Sequence, residues 1–185
     1  MAKSEILQPF ILSWEGGWSN KKNDRGGATM KGVTIATWRI HGYDNDGDRD
    51  RDERDLRLIT NEQWHDIFKK VYWDKWHADE ILDQSVANLL VDWYWMSGRY
   101  AVTIPQALLG VKVDGLVGSK TIAAINGYSG GQSELFRALW SDRRAYFNML
   151  ARKPGQGVFL KGWLNRLNGV KYGRLVCNRG KTIYF

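Results

Sequence analysis

The residues best suited to chemistry stand near the start of the chain. They are Glu15 in Ser13-Trp14-Glu15-Gly16-Gly17-Trp18, then Asp24, Thr29 and Thr34 in Asn23-Asp24-Arg25-Gly26-Gly27-Ala28-Thr29-Met30-Lys31-Gly32-Val33-Thr34. A carboxylic acid, a second carboxylate and a hydroxyl around one cleft are the groups that glycoside hydrolysis uses. One protonates the leaving oxygen, and the others orient water or stabilise the oxocarbenium-like charge. The first carboxyl has to hold a proton until it is needed, and a place between Trp14 and Trp18 would strip its hydration and favour the neutral form. Glu15 is therefore the candidate proton donor, Asp24 the water-orienting base or electrostatic stabiliser, and Thr29 or Thr34 the hydroxyl that positions water.

The elements that must position these groups are helices. Ile6, Leu7, Phe10, Ile11 and Trp14 form an apolar stripe, and the Gly16-Gly17 pair ends that helix beside Glu15. Thr60-Asn61-Glu62-Gln63 is a capping box with Ile59 and Trp64 as its hydrophobic staple. It opens a helix expected to run to about Trp76. Trp18 and Trp73 are candidates for the cleft wall, although aromatics at helical spacing more often pack in a core. A helix over about Ser85 to Met96 carries Asp92 in an apolar run, where a carboxylate needs partners. Asp92 is either a structural hub, the favoured alternative, or a group that meets the substrate. Thr103-Ile104-Pro105-Gln106 is a second capping box, Ser119 is placed to cap a helix after the Asp114-Gly115 turn, and Ser133 to cap a long helix ended by Pro154-Gly155. A last helix spans Phe159 to Val170, and the tail after Gly173 is basic without a pattern. The fold class is all-α, with a small extended element in the Gly-rich loop. Two helical lobes, 1–98 and 99–185, are expected to share one core.

The formal charge of +7 is concentrated late. From Arg137 onward eleven Lys and Arg face one acid, Asp142, a surface that attracts polyanions. Nucleic acid is set aside because no binding motif accompanies the charge. No apolar run reaches the length of a signal h-region or a membrane span, so synthesis in the cytoplasm without a signal peptide and no stable membrane insertion are expected. A single cysteine, Cys177, excludes an intramolecular disulfide. The run Asp44 to Asp55 has no apolar residue. Aligned to a calcium loop that starts at Gly42, it puts Asp44, Asp46, Asp50 and Glu53 at positions 3, 5, 9 and 12. Gly42 at the first ligand position and the interrupting arginines favour a solvated acidic insertion, with neither metal nor cofactor.

Glu15-Gly16-Gly17-Trp18 followed by the Asp24 to Thr34 segment resembles the opening motif of glycoside hydrolase family 108, with Val33 where the family has Ile. This is a lysozyme-like family of phage endolysins and of bacterial proteins labelled secretion activators. Val113-Asp114-Gly115 with Gly118-Ser119-Lys120-Thr121 resembles the family's C-terminal peptidoglycan-binding module, with Ser119 in place of proline. Tyr72-Trp73-x-x-Trp76 and Phe159-x-x-Gly162-Trp163-x-x-Arg166 are similar to further family segments. The spacing from Glu15 to Asp24 also resembles that of phage-type lysozymes, whose threonine would fall at Met30, one residue past Thr29. The resemblance implies an N-acetylmuramidase that cuts the β-1,4 bond between N-acetylmuramic acid and N-acetylglucosamine in peptidoglycan, with Glu15 as its acid. It also implies release to the wall through a holin or an export system. Two rivals keep the same motifs: a lytic transglycosylase that uses Glu15 alone, and a non-catalytic wall-binding or secretion-accessory protein.

Overall fold

A computed structural model describes residues 1–20 and 27–185. Helix α1 (Ser4–Trp14) is followed by a hairpin of β1 (Thr29–Met30) and β2 (Val33–Thr34), then by α2 (Ile35–His41), α3 (Glu53–Arg57) and α4 (Asn61–Phe68). Next come α5 (Gln84–Ser97), α6 (Tyr100–Leu108), α7 (Ser119–Asn126), α8 (Gln132–Ala151) and α9 (Leu160–Gly169). The chain closes with β3 (Val170–Lys171), β4 (Arg174–Val176) and β5 (Thr182–Tyr184). The fold is all-α with small strand pairs, as expected.

The axis of the molecule is α5. Every residue from Ser85 to Trp93 is buried, because α1, α6, α8 and β3 pack around it. A helix apolar on all sides is stable only when so enclosed, and Leu89, Leu90 and Val91 each contribute roughly 1.5–3 kcal/mol by leaving water. Asp83 caps its start by accepting from the Val86 amide, and Gly98 ends it with φ +53°. One apolar cluster runs from Leu7 and Phe10 through α5 to Leu139, Leu167 and Leu175, joining both halves of the chain. Among the described residues no helix is long and apolar enough to cross a membrane.

Several boundaries differ from the expected ones. The Thr60 capping box is present, but α4 stops at Phe68 and continues as a π-helical turn over Lys69–Trp73 and a 3-10 turn over Asp74–Trp76. Thr103 does not start α6. Burial of Ala101 and Val102 moves the start to Tyr100, and the Thr103 hydroxyl donates back to the Arg99 carbonyl. Gly118, not Ser119, precedes α7, so Ser119 occupies the first helical position, where proline is also well accepted. Gly131, with φ +77°, and not Ser133, precedes α8. The tail is an ordered antiparallel sheet in the order β3-β4-β5, with Val170 opposite Leu175 and Leu175 opposite Ile183. Its strands have two or three residues each, too short for an alternating pattern to register.

Candidate active site

Glu15 follows the last residue of α1, and its extended backbone (φ −86°, ψ 144°) turns the chain away from the helix. Its side chain is 18% exposed. Oε1 accepts from Arg166 Nη1 on α9 at 2.7 Å and from Trp95 Nε1 on α5 at 2.8 Å. Three elements distant in sequence thus meet at one carboxylate. Trp95 is wedged among aromatics supplied by α4 and the π-helical turn. Its ring centroid lies 5.7 Å from Trp64, 6.1 Å from Phe68 and 4.5 Å from Tyr72. Burial pushes the Tyr72 hydroxyl up, and the charges of Tyr94 and Glu15 push it further, which puts Tyr72 within electrostatic reach of the site.

The β1–β2 hairpin closes over the other side. Its tip, Lys31-Gly32, has positive φ at both residues, +50° and +79°, the pattern of a type I′ turn. Trp64 Nε1 donates to the Lys31 carbonyl at 2.9 Å, and Lys31 Nζ donates to Asn61 Oδ1 at 3.0 Å, so α4 pins the tip. A Cβ on Gly32 would stand 2.6 Å from both Glu15 Oε2 and Trp95 Cζ2. Only a glycine fits there.

Behind Glu15 lies a buried relay of charge. Arg166 also donates from Nε and Nη2 to Asp92 Oδ1, at 3.0 and 2.8 Å, and Arg143 Nη2 donates to Asp92 Oδ2 at 2.7 Å. Asp92 and Arg143 are wholly enclosed. Burial pushes the Asp92 carboxyl up, but the two guanidiniums outweigh it and hold the carboxyl below the usual carboxylate range. Burial likewise pulls Arg166 down, and Asp92 together with Glu15 more than restores it. Glu15–Arg166–Asp92–Arg143 is a balanced set of two acids and two cations, with one end at the surface. Oε1 accepts from two donors, while Oε2 lies against the Gly32 tip.

Comparison with known proteins falls on the same elements. Residues 8–98 match the family glycosyl hydrolase 108. The N-terminal half belongs to the glycosyl hydrolase 108 family. Residues 100–168 match a predicted peptidoglycan domain. The solved structure of Brucella abortus SagA is similar, with a TM-score of 0.72, 28% sequence identity and 90% of each chain covered. No functionally curated protein matches the sequence. A glycosyl hydrolase match followed by a peptidoglycan-domain match supports peptidoglycan as substrate or binding partner.

Within the glycosyl hydrolase 108 domain the expected residues scatter. Glu15 is partly exposed beside the hairpin tip. Asp24 lies outside the described residues. Thr29 and Thr34 face each other across the hairpin, behind its Lys31-Gly32 tip. The Thr34 hydroxyl caps α2 by accepting from the Thr37 amide at 3.2 Å, so it is committed to the backbone. Trp18 is partly exposed with the Arg57 guanidinium 3.9 Å from its ring centre, which covers one face. Trp73 is not on a cleft wall. It is fully buried, and its Nε1 donates to Asp79 at 2.7 Å. Asp92 does not meet substrate either, because a carboxylate at 0% exposure between two arginines can reach none. Glu15 does not stand in purely apolar surroundings, since Arg166 faces it directly.

In the acidic run, Asp44, Asp46 and Asp48 converge, as do Asp48, Asp50 and Asp55. These carboxylates, and not Glu53, are the ones that could hold a divalent cation. Glu53 accepts from Asn20 instead. Arg54 already sits among Asp46, Asp48 and Asp52. Asp55, which is buried, collects the amides of Asn45, Asp46 and Asp52, which outweigh burial and hold its carboxyl low. Trp95 was not singled out by sequence reasoning, and Gly32 and Tyr72 stood in quoted motifs without a role. Arg166 stood in the closing Trp163-x-x-Arg166 motif, yet its spacing of 151 residues from Glu15 carries no local signal.

Proposed function

We propose that the protein is an N-acetylmuramidase, which cleaves the β-1,4 bond between N-acetylmuramic acid and N-acetylglucosamine with Glu15 as general acid. The observation that supports this most is the geometry of one carboxyl group. Two donors fix Oε1, Oε2 is directed along the Gly32 tip, and the group remains partly open to solvent. With Oε1 accepting, the neutral acid carries its proton on Oε2 and delivers it to the glycosidic oxygen as the bond breaks. Arg166, already at Oε1, stays with the carboxylate that results, and Asp92 and Arg143 hold the guanidinium still, so little reorganisation follows proton transfer. Asp24, nine positions on, is assigned the water-orienting or charge-stabilising role, with the Thr29 hydroxyl as the water-positioning group. Division at residue 98 into a catalytic and a wall-binding lobe is part of the proposal, as is access to the wall through a holin or an export system.

Digestion of purified sacculi with mass spectrometry of the fragments tests the assignment. Wild type should release muropeptides with reducing N-acetylmuramic acid ends, and Glu15→Gln should lose roughly 100- to 10,000-fold of that rate. Anhydro ends would make the enzyme a lytic transglycosylase. Binding to sacculi with no products from wild type would leave a wall-binding protein.

A further inference from the structure

The C-terminal half carries a concave surface that the chemistry at Glu15 does not use. An open groove of about 480 Å³ lies between α8 and the β3 strand. Its floor is apolar, from Phe136 and Val170, both buried. Trp140 and Tyr172 form its walls, and each is held in place. Trp140 Nε1 donates to the Leu167 carbonyl at 3.2 Å. The Tyr172 ring stands edge-on to Phe136 with centroids 5.6 Å apart, while its hydroxyl donates to Asp83 at 2.8 Å. Arg137 and Lys171 lie on the rim, exposed, and neither takes part in an ion pair among the described residues. Asn168 adds an exposed amide. Asp83 is the acid beside this surface, and it is engaged by Tyr172 and by the Val86 amide.

The sheet beside the groove is tied to the first turn of α5, and Glu15 is tied to its last. The Gly173 amide donates to Ser85 in the first turn of α5, and Trp95 lies ten residues further, about 15 Å at 1.5 Å per residue. Lys171 and Tyr172 also lie beyond both family matches, which end at 98 and 168. The tail sheet therefore adds a surface to the peptidoglycan domain that neither match contains.

We propose that this groove is a second, non-catalytic binding site for the carboxylate-bearing peptide stem of peptidoglycan. Two rigid aromatic walls over an apolar floor suit methyl groups and the apolar face of a sugar ring. Two unpaired cations at the rim suit the free carboxylates of the stem. A bare phosphate polymer would use the cations and leave the aromatic walls idle. Holding a strand on the same protein raises the effective substrate concentration without a new contact at the reacting bond. The ligand assignment rests on peptidoglycan being the substrate.

The test uses full-length ¹⁵N-labelled Glu15→Gln protein, in which hydrolysis is blocked, and follows the indole N–H of Trp140, assigned through its loss in Trp140→Phe. A purified disaccharide-tetrapeptide should shift that resonance. Arg137→Glu with Lys171→Glu should weaken the response at least tenfold at an unchanged melting temperature. A silent Trp140, an equal response to uncharged chitotetraose, or a response to poly(glycerol phosphate) alone would each overturn the proposal. Sacculus hydrolysis by wild type, measured in parallel, separates the two claims. Hydrolysis with a silent groove sinks this one alone, and a responsive groove without hydrolysis supports it while sinking the muramidase.

Discussion

Two regions of this molecule gather acids around arginines, and they behave oppositely. Asp92 lies between Arg143 and Arg166 with no solvent, and each charge has a partner. The Asp44–Asp55 loop has Arg54 among Asp46, Asp48 and Asp52, mostly in water and with acid in excess. Buried charge needs a charged partner, and removing one member exposes the desolvation cost of the rest. Exposed charge is screened, and its pairs contribute little. The first region can therefore hold Glu15 rigidly, while the second cannot fix anything by charge alone.

The strongest way to break this contrast is Asp92→Ala, which leaves two buried guanidiniums with one carboxylate between them. It should cost about 3–5 kcal/mol, and the melting temperature should fall by roughly 10 °C. Asp48→Ala in the loop should leave the melting curve almost unmoved. Equal shifts from the two would show that burial does not set the difference.

Acid sharpens it further. The Asp92 carboxyl is held below its unfolded value, so the stability it supplies is present above about pH 4 and is lost as pH falls through the folded value. Wild type should thus lose melting temperature more steeply below about pH 4 than Asp92→Asn, which has already lost that contribution. Parallel pH profiles would count against the network.

Gly32 and Gly47 give the finest comparison, because both have positive φ, +79° and +84°. Alanine at either should cost about 1–2 kcal/mol of backbone strain. A Cβ at Gly47 meets open space, whereas at Gly32 it meets Glu15 and Trp95. Sacculus hydrolysis should fall tenfold or more in Gly32→Ala and stay within about twofold in Gly47→Ala, with ΔΔG‡ near 1.4 kcal/mol marking the tenfold step. The smallest effect belongs to Trp95→Phe, which keeps the ring packing and removes one of two donors to Oε1. A several-fold loss of hydrolysis at a nearly unchanged melting temperature is expected.

Local chemistry was legible wherever the cause lay within a few residues. The end of α1 just ahead of Gly16-Gly17, at Trp14 and so one residue before Glu15, the Thr60 capping box, the limits of α5 and the stop at Gly98 follow from periodicity, caps and glycine. So did the choice of Glu15 and the order of two family motifs, since both are written in contiguous residues. Helix starts near Thr103, Ser119 and Ser133 were misplaced: burial of Ala101 and Val102 moved the first by four residues, and Gly118 and the positive-φ Gly131 took the capping positions of the other two, shifts of one and two residues.

What the tertiary structure alone decided is the company that Glu15 keeps. Arg166 lies 151 positions away and Trp95 lies 80 positions away, and packing around α5 brings both to the same oxygen. Whether Trp73 faced a cleft or the core depended on the π-helical turn, which alters the rotation of that segment. The hub role favoured for Asp92 acquired its partners only in the fold, where Arg143 and Arg166 enclose it. A sequence determines which groups exist and which local elements they ride on. Distance, burial and charge balance are set between elements, and those are the quantities that turn a glutamate near a helix end into a candidate proton donor.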